Sequence, residues 1–449
     1  ETIDLCAVPR ENCHFVCWTG DTAGLADPGA AVTVLTVTGP ARLVPRADRN
    51  DYRVDPAAGP ATPGWQDWVF ARIQDALDQA SDGVTVTALP GIYRECIDFR
   101  GTDAVVRSTA PGDPAVVRST VIDGGGDWQR AAVSFAAGES RAAELRGLTV
   151  INGGPAGVWV EGASPTLRGN RFESDTWGGR HVHCSAGSSP RVEDNRFVGG
   201  GCALYSTGAS PLFRANEVTG HSSMGAPLEL RDSSGVICDN RFEDNDGDLA
   251  GAIACIRSDA EIRANVLVKN ASWSGPGAIL IREASCLVTG NTVADNRGGE
   301  LWSETGAGAI LCAGGTTYIG DSILWGNAQG VDPAVWNQIR VLYGDCRVAY
   351  SLVQGGRAGV VGDSLPGAGI LEADPLFVDS AGGKYHLCSE AGRWDADTGV
   401  WVQDAVTSPA IDAGDPTSDF SAEPAPSGDC RNLGAWGNTS NAARTPEGS

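Results

Sequence analysis

The chain has 449 residues, of which 42% are apolar and 20% are charged, so it can bury a sizeable core and is not a disordered protein. Its 60 glycines and 24 prolines follow no three-residue period, which excludes collagen and predicts many short strands joined by turns. The formal charge of −23 disfavours nucleic acid and anionic membranes as partners, and polyanionic sugars unless a cation bridges them. No apolar run approaches the roughly 20 residues of a membrane span.

The N-terminal 48 residues contain three of the 13 cysteines, Cys6, Cys13 and Cys17. No cysteine pair has the CxxC spacing, which argues against structural zinc and favours a disulfide within this part of the chain. The odd total leaves at least one thiol unpaired or linked to another chain. We predict a second bridge between Cys388 and Cys430, which flank a compact C-terminal segment.

The segment "WQDWVFARIQDALDQASDG" predicts a helix ahead of the repeats. Val69, Ile73, Leu77 and Ala80 stand at helical spacing, and an Asp-Gly pair ends the pattern. An amphipathic helix can cover the core and strand edges that an open solenoid end exposes. We therefore predict an N-terminal cap, followed by a first rung at "VTVTALPGIYRECIDFRG".

A repeat of about 25 residues organises the middle of the chain. An apolar residue stands two places after each repeated asparagine, and a second short alternating strand lies about a dozen residues before it. The repeated asparagines are Asn170, Asn195, Asn216, Asn240, Asn265 and Asn291. Short strands and turns at fixed offsets describe one rung of a parallel β-solenoid, whose stacked rungs bury a continuous core.

The repeated asparagine predicts a ladder of inward amides that bond to each other from rung to rung. A simple preference of asparagine for turns does not explain the apolar residue at the fixed offset of two. We assign Gly147 to the ladder position upstream and Asp321 and Tyr350 to it downstream. A second series at another turn of the same edge comprises Asn152, Asn245, Asn270 and Asn296.

The segments "IQDALDQASDGVTVTALPGIYRECIDFRG" and "TVIDGGG", together with the Asn-x-Phe rungs, resemble bacterial secreted right-handed parallel β-helix proteins of the pectate-lyase-like superfold. The resemblance covers residues 65–375 and implies an all-β, right-handed parallel β-helix with an N-terminal capping helix. Residues 376–449 then form a small irregular C-terminal closure.

Two further resemblances concern the ends of the chain. The stretch from "SILWGN" through "EADPLFVD" to "NLGAWGNTS" is similar to the tail of large exported, surface-anchored β-helix proteins. The N-terminal "ENCHFVCWTGD…AAVTVLTVTGPARLVP" resembles the end of an internalin-type B-repeat. They imply a small β module at residues 1–48, possible upstream repeats, and a linker at residues 49–64.

The outward positions of the upstream strand in each rung are the candidate ligand site. Aromatic rings, a histidine and carboxylates on a rigid sheet offer stacking faces and fixed polar groups to a sugar, although an ordinary solvated sheet face also carries scattered aromatics. The candidate carbohydrate-binding residues are Trp159, Glu161, His181, His183, Tyr205, Glu229 and Arg231.

Catalysis has weaker support in the sequence. A polysaccharide lyase needs a base and charge neutralisation at a uronate, for which Arg180, Arg231, Arg282 or His183 beside a carboxylate are candidates. A hydrolase needs two facing carboxylates, whereas Glu161 and the next suitable glutamate are three rungs apart. No catalytic residue is assigned.

Calcium is the one candidate ion. Alternate carboxylates before a glycine in "WDADTG" resemble part of a calcium loop, with Asp395 and Asp397 as ligands, although no closing glutamate follows.

We expect an extracellular or cell-surface structural or adhesive β-helix that presents a glycan-binding face. Its partners are a polysaccharide or cell-surface glycan, with self-association as a further option, and neither nucleic acid nor membrane insertion is expected. The alternative is an extracellular polysaccharide lyase or hydrolase. The chain starts at Glu1 without a leader, so either export has removed one or the chain is a piece of a longer protein.

Overall fold

The computed structural model describes residues 2–9, 13–174, 179–299, 306–330, 337–365 and 367–446. Its centre is a parallel β-helix in which most turns of the chain contribute three short strands. Strands of successive turns pair in parallel, so that each column of strands forms one face. Among the described residues, no helix is long and apolar enough to cross a membrane.

We number the three faces in the order in which a rung visits them. Face 1 contains the strands Ile97–Asp98, Val133–Phe135, Val158–Glu161, Arg180–Ser185, Cys202–Thr207, Leu228–Arg231, Ile253–Ile256, Ile279–Arg282 and the first parts of Ile310–Gly320, Ile339–Val348 and Val360–Leu365. Face 2 contains Asp51–Val54, Val69–Phe70, Thr85–Ala88, Val105–Ser108, Glu144–Arg146, Thr166–Arg168, Arg191–Glu193, Leu212–Arg214, Ser234–Cys238, Asp259–Arg263, Cys286–Thr289 and the second parts of the last three strands of face 1.

Face 3 is a separate 12-stranded sheet. Its strands are Gly91–Arg94, Thr120–Asp123, Thr149–Ile151, Arg171–Ser174, Arg196–Gly199, Glu217–Thr219, Arg241–Glu243, Val266–Val268, Thr292–Ala294, Ile323–Trp325, Ser351–Val353 and Ile370–Leu371. The turn that leads back to face 1 carries a short column: Ser222–Ser223, Asp246–Gly247, Ala271–Ser272, Arg297–Gly298 and Ala328–Gln329.

Four antiparallel pairs lie outside these columns: Thr2–Cys6 with Val32–Thr36, Cys13–Gly20 with Leu43–Arg49, Phe377–Asp379 with Lys384–Leu387, and Arg393–Asp395 with Val400–Val402. The α-helices are Ile73–Leu77 and Pro114–Ser119, and the 3₁₀ turns are Thr22–Gly24 and Gly356–Gly359.

The inward residues of the three faces form one continuous apolar core. Because side chains alternate across a strand, every second residue of each face points inward. On face 3 the rings of Phe172 and Phe197 stack with centroids 4.8 Å apart. On face 1 the inward residues include Val158, Leu204 and Ile253, which are fully buried.

The asparagine ladder is present at the corner between face 2 and face 3. Asn170 Nδ2 donates to Asn195 Oδ1 at 3.1 Å, and the same bond repeats on each rung as far as Asn291. Asn195 Oδ1 also accepts the backbone N–H of Asn170 at 2.9 Å, and Asn170 Nδ2 donates to the Leu145 carbonyl at 2.8 Å. The buried amides therefore satisfy each other and the turn backbone.

A second ladder lies five residues further along each rung. It links Asn245, Asn270, Asn296 and Asn327 by Nδ2 to Oδ1 bonds of 2.8 to 3.0 Å. Asn152 is not part of this ladder, because its side chain is exposed and donates to Asp123 at 2.9 Å. The backbone of its turn does not direct the Asn152 side chain into the core.

The predicted ends of the first ladder are wrong by one residue. Gly147, Asp321 and Tyr350 have positive φ, and they form the left-handed position that precedes the ladder residue on every rung. The ladder position belongs to the residue that follows each of them: Leu148, Ser322 and Ser351. Serine can continue the bonding through its hydroxyl, whereas leucine contributes only its backbone N–H.

The capping helix Ile73–Leu77 is shorter than predicted, since Val69 lies in a strand and Ala80 follows the helix. The buried carboxylate of Glu95 accepts the backbone N–H groups of Ile73 at 2.8 Å and Gln74 at 3.1 Å. These bonds satisfy two of the free N–H groups at the helix start and attach it to the first rung.

The solenoid also begins earlier than the predicted linker at residues 49–64 allows. Strand Asp51–Val54 pairs with Thr85–Ala88 and with Val69–Phe70. Its alternation buries Tyr52 and Val54, so this segment is part of the sheet.

The C-terminal segment packs along the outer side of face 3. Outward residues of face 3, including Val268 and Ala294, are buried against Tyr385. The Tyr385 hydroxyl donates to Asp295 at 2.8 Å, and Asp321 accepts the Ser418 hydroxyl at 2.6 Å. The closure thus covers a face of the β-helix.

All 13 cysteines are free thiols, so the predicted disulfides are absent. Cys13 and Cys17 lie on one strand four residues apart, about 13 Å along an extended chain, which is beyond disulfide reach. Cys388 lies beside Asp404, whereas Cys430 lies beside Asp412, in different surroundings.

We predict that Asn195→Ala lowers the free energy of unfolding by about 2 to 4 kcal/mol, because the buried N–H of Asn170 loses its acceptor and the Leu167 carbonyl loses the amide that donates to it. Urea denaturation measures the change. Asn441→Ala, which removes an exposed amide at a residue without positive φ, is the matched control and should change stability by about 0.5 kcal/mol or less. Equal losses in the two variants would contradict a stabilising ladder.

Candidate functional site

One outward column of face 1 places aromatic and charged side chains on successive rungs. The strand register aligns, in order, Asp98, Ser134, Trp159, His183, Tyr205, Glu229, Ala254, Leu280 and Leu311. Rungs are about 4.8 Å apart, so residues of neighbouring rungs are in direct contact. Four of the sequence-predicted residues are therefore brought together.

The rings in this column pack against each other. The Trp159 and His183 centroids are 4.2 Å apart, and those of His183 and Tyr205 are 5.3 Å apart. The Arg180 guanidinium lies 3.9 Å above the Tyr205 ring, and Arg180 Nη1 lies 3.4 Å from His183 Nδ1. We call Trp159, Arg180, His183 and Tyr205 the aromatic row.

The charged residues occupy the margins of the aromatic row. Glu161 accepts the indole N–H of Trp159 at 3.2 Å. Arg231 forms an ion pair with Glu229, two residues away on the same strand. Glu161 aligns with Arg231 in the neighbouring outward column, three rungs away, which places Glu161 and Glu229 about 14 Å apart by rung spacing. This separation is too large for the carboxylate pair of a glycoside hydrolase.

His181 does not lie with the other candidate residues. Its imidazole is buried at the corner between face 3 and face 1, where Nε2 bonds to the Gly199 carbonyl at 2.9 Å. The ring packs against Phe197 and His221. The regular alternation does not extend to His181, because pairing with the preceding rung begins only at Val182.

His183 is held uncharged at neutral pH. Burial, together with the nearby Arg180 charge, lowers the pKa of His183 to about 4. The side chain is 7% exposed, and Nε2 has no hydrogen-bond partner among the described residues. The row therefore contains a neutral imidazole beside a fixed cation.

An apolar cluster, which the sequence did not reveal, ends the column. Ala254, Leu280 and Leu311 are buried beneath turn residues that include Ala226 and Ala307. Their side chains point outward from the strands, yet they are shielded from solvent. On the earlier rungs the Trp159 and Tyr205 side chains are partly exposed, whereas the predicted ligand-binding residue Glu229 is buried, with its side chain 6% exposed.

Exposed apolar residues on the turns into face 1 were also missed from the sequence. Trp128 is 77% exposed, Met224 70% and Trp273 66%. Each stands between a face 3 strand and the next face 1 strand. The sequence contained a signal for them, because a large apolar residue within an otherwise polar turn cannot be buried in the core and is therefore expected at the surface.

The predicted calcium ligands lie on a C-terminal hairpin. Asp395 accepts the Thr398 hydroxyl at 2.7 Å, and Asp397 forms an ion pair of 2.5 Å with Lys384. Within the part of the chain that the structure describes, no group of three or more His, Cys, Asp or Glu residues is arranged to hold a metal ion. The two carboxylates are thus engaged by Thr398 and Lys384.

Comparison with known families gives two matches within the chain. A family model described as "Right handed beta helix region" matches residues 132–293, which include the aromatic row. A model described as "Disaggregatase related" matches residues 355–414, at the last rungs and the start of the C-terminal segment. The first match agrees with the fold class predicted from the sequence.

Among solved structures, the chain is similar to one titled "Crystal structure of pectate lyase Pel9A", with a TM-score of 0.44 and 13% sequence identity. The alignment covers 86% of this chain and 95% of that one. Comparison with curated proteins gives no match. The family match and the parallel strand columns together show a right-handed parallel β-helix.

We predict that the NMR signals of His183 titrate near pH 4 and not near 6.5. Because the unfolded chain then binds more protons than the folded one, the His183 contribution lowers stability as pH falls from about 6.5 to about 4. His183→Gln should reduce the pH dependence of the unfolding free energy in this window, to which His181, His221 and His386 also contribute because burial lowers their pKa values. A midpoint near 6.5 would show that the imidazole is solvated.

Proposed function

We propose that the protein is a glycan-binding β-helix whose aromatic row holds an extended saccharide along face 1. The observation that carries the proposal is the packing of three rings, at tilted and edge-on angles, on three successive rungs, with a guanidinium over the last. Ring faces pack against the apolar faces of sugars, and nearby polar groups bond to hydroxyls.

The rigidity of the row favours binding. Trp159, His183 and Tyr205 are attached to strands whose backbones pair in register on both sides. Little side-chain freedom remains to be lost when a ligand binds, because each ring already packs against its neighbour. Glu161 and Arg231 provide polar groups at the margins, and the buried Glu229 holds Arg231 in place.

We further propose an extracellular or cell-surface setting, in which the β-helix is a structural or adhesive rod. The support is the resemblance of the C-terminal segment to exported β-helix proteins. Self-association remains part of this proposal, as does calcium at Asp395 and Asp397.

A polysaccharide lyase is the second candidate. The observation in its favour is the neutral imidazole of His183, whose buried Nε2 has no partner among the described residues and whose ring contacts Arg180. In such an enzyme the imidazole takes the α-proton of a uronate, and the arginine neutralises the sugar carboxylate.

We predict that Trp159→Ala and Tyr205→Ala each weaken glycan binding about tenfold or more, because each removes a partly exposed aromatic ring at one end of the row. A glycan array identifies a ligand, and calorimetry then measures the affinities. Tyr343→Ala is the matched control, since Tyr343 is 53% exposed on a rung outside the row. Equal losses in Tyr343→Ala and Tyr205→Ala would contradict the proposal.

Turnover separates the two candidates. Ultraviolet absorbance of unsaturated products is followed while the protein is incubated with acidic and neutral polysaccharides. Binding without product formation supports the binding protein. Product formation that His183→Gln abolishes, with binding retained, supports the lyase. A protein that binds no glycan and forms no product contradicts both.

A further inference from the structure

A second cleft lies at the corner between face 2 and face 3, away from the aromatic row. Its volume is about 460 Å³, and helix Pro114–Ser119 with the preceding turn stands over it. Five arginines line it: Arg118, Arg146, Arg168, Arg171 and Arg196. We call these five residues and the cavity between them the arginine cleft.

The strand register builds the two walls of the cleft. Arg146 and Arg168 are paired neighbours at the last position of two face 2 strands. Arg171 and Arg196 are paired neighbours at the first position of two face 3 strands. The corner between the walls carries Gly169, so no side chain fills the space there.

The remaining wall is fixed in place by the fold. Pro111 lies directly against Gly147, where an added Cβ would stand 2.4 Å from the proline Cα. Val117 is buried, and its carbonyl accepts the Thr149 hydroxyl at 2.8 Å. The cleft is thus already formed in the free protein, which limits the conformational entropy that binding would cost.

The charge of the lining is opposite to that of the chain. Five arginines and two carboxylates, Asp194 and Glu217, line the cleft, and Glu144 and Glu173 pair with Arg146 and Arg171 from beside it. The charges of these nine groups sum to +1, in a chain whose net charge is −23. Arg168 contacts Asp194 through its Nε at 3.1 Å. Arg196 likewise contacts Glu217 through its Nε, at 3.5 Å. Among the described residues, no hydrogen bond engages the terminal nitrogens of these two side chains or the guanidinium of Arg118.

We propose that the arginine cleft binds a tetrahedral oxyanion ester, a sulfate or a phosphate, carried on a saccharide. Guanidinium groups line the cavity from two strand columns and from the helix, so an anion with acceptor oxygens in several directions engages more of them than a planar carboxylate does. Pro111, Pro114 and Val117 give the same cavity an apolar side that a sugar ring can contact.

The surrounding charge limits the size of the ligand. Outside the cleft the protein is strongly anionic, which repels a polymer with a charge at every unit, such as nucleic acid. A sugar that carries only one or a few ester groups can place all of its negative charge inside the cleft, so the rest of the protein surface does not repel it. This site is independent of the aromatic row and of the function proposed for it.

Calorimetry at low salt with four matched probes tests the proposal: a glucose sulfate ester, the corresponding phosphate ester, glucuronate and glucose. We expect the esters to bind more tightly than glucuronate, with no heat from glucose, and the stronger ester identifies the natural group. Arg168→Gln with Arg196→Gln should weaken ester binding about tenfold or more, since two charge-assisted donors are lost.

The matched control is Arg257→Gln with Arg263→Gln, which removes two arginines of similar exposure that also form carboxylate pairs. This control variant has the same net charge as the cleft variant and should bind the esters with wild-type affinity. Trp159→Ala should retain it as well. Equal weakening in the cleft and control variants, equal binding of glucose and its esters, or tighter binding of a single-stranded oligonucleotide would overturn the proposal.

Discussion

The parallel backbone pairing of successive rungs is the constraint on which the rest of this structure depends. Each strand of the three faces bonds to the strand one rung before and one rung after it, so a residue type repeated at the rung period forms a column at about 4.8 Å spacing. The asparagine ladder, the phenylalanine stack and the aromatic row are three such columns. The asparagines form hydrogen bonds, the phenylalanines pack in the core, and the side chains of the aromatic row face outward. All three columns have the same spacing between rungs.

The corners of the rungs determine where ligand sites can form. The corner between face 2 and face 3 is tight, because a residue of positive φ precedes a buried ladder residue on every rung. An insertion such as residues 109–119 cannot enter that corner and lies over it, which creates the arginine cleft. The turns into face 1 are longer, and they cover the later rungs of its outer surface while leaving the aromatic row open.

The two candidate sites differ in the physical basis of recognition. The aromatic row offers ring faces and an uncharged imidazole, so its contribution to binding should depend little on salt. The arginine cleft offers charged donors in an otherwise anionic molecule, so its contribution should fall as salt rises. A protein with both sites can hold the sugar ring of one ligand and the ester group of another at the same time.

The sequence by itself determined the features that arise within one rung and repeat. Alternation of apolar residues and the period of the asparagines predicted the parallel β-helix, the buried ladder and the column of Trp159, His183, Tyr205 and Glu229, because neighbouring residues on a strand have fixed directions. Only the tertiary structure decided features that depend on turns and distant segments. Turn backbones follow no period, so the ladder ends were misplaced by one residue and His181 was assigned to the wrong side of the sheet. The arginine cleft, the apolar cover of Leu280 and the docking of Tyr385 on face 3 join residues from separate rungs and segments. No local pattern specifies those contacts, since they exist only after the rungs have stacked.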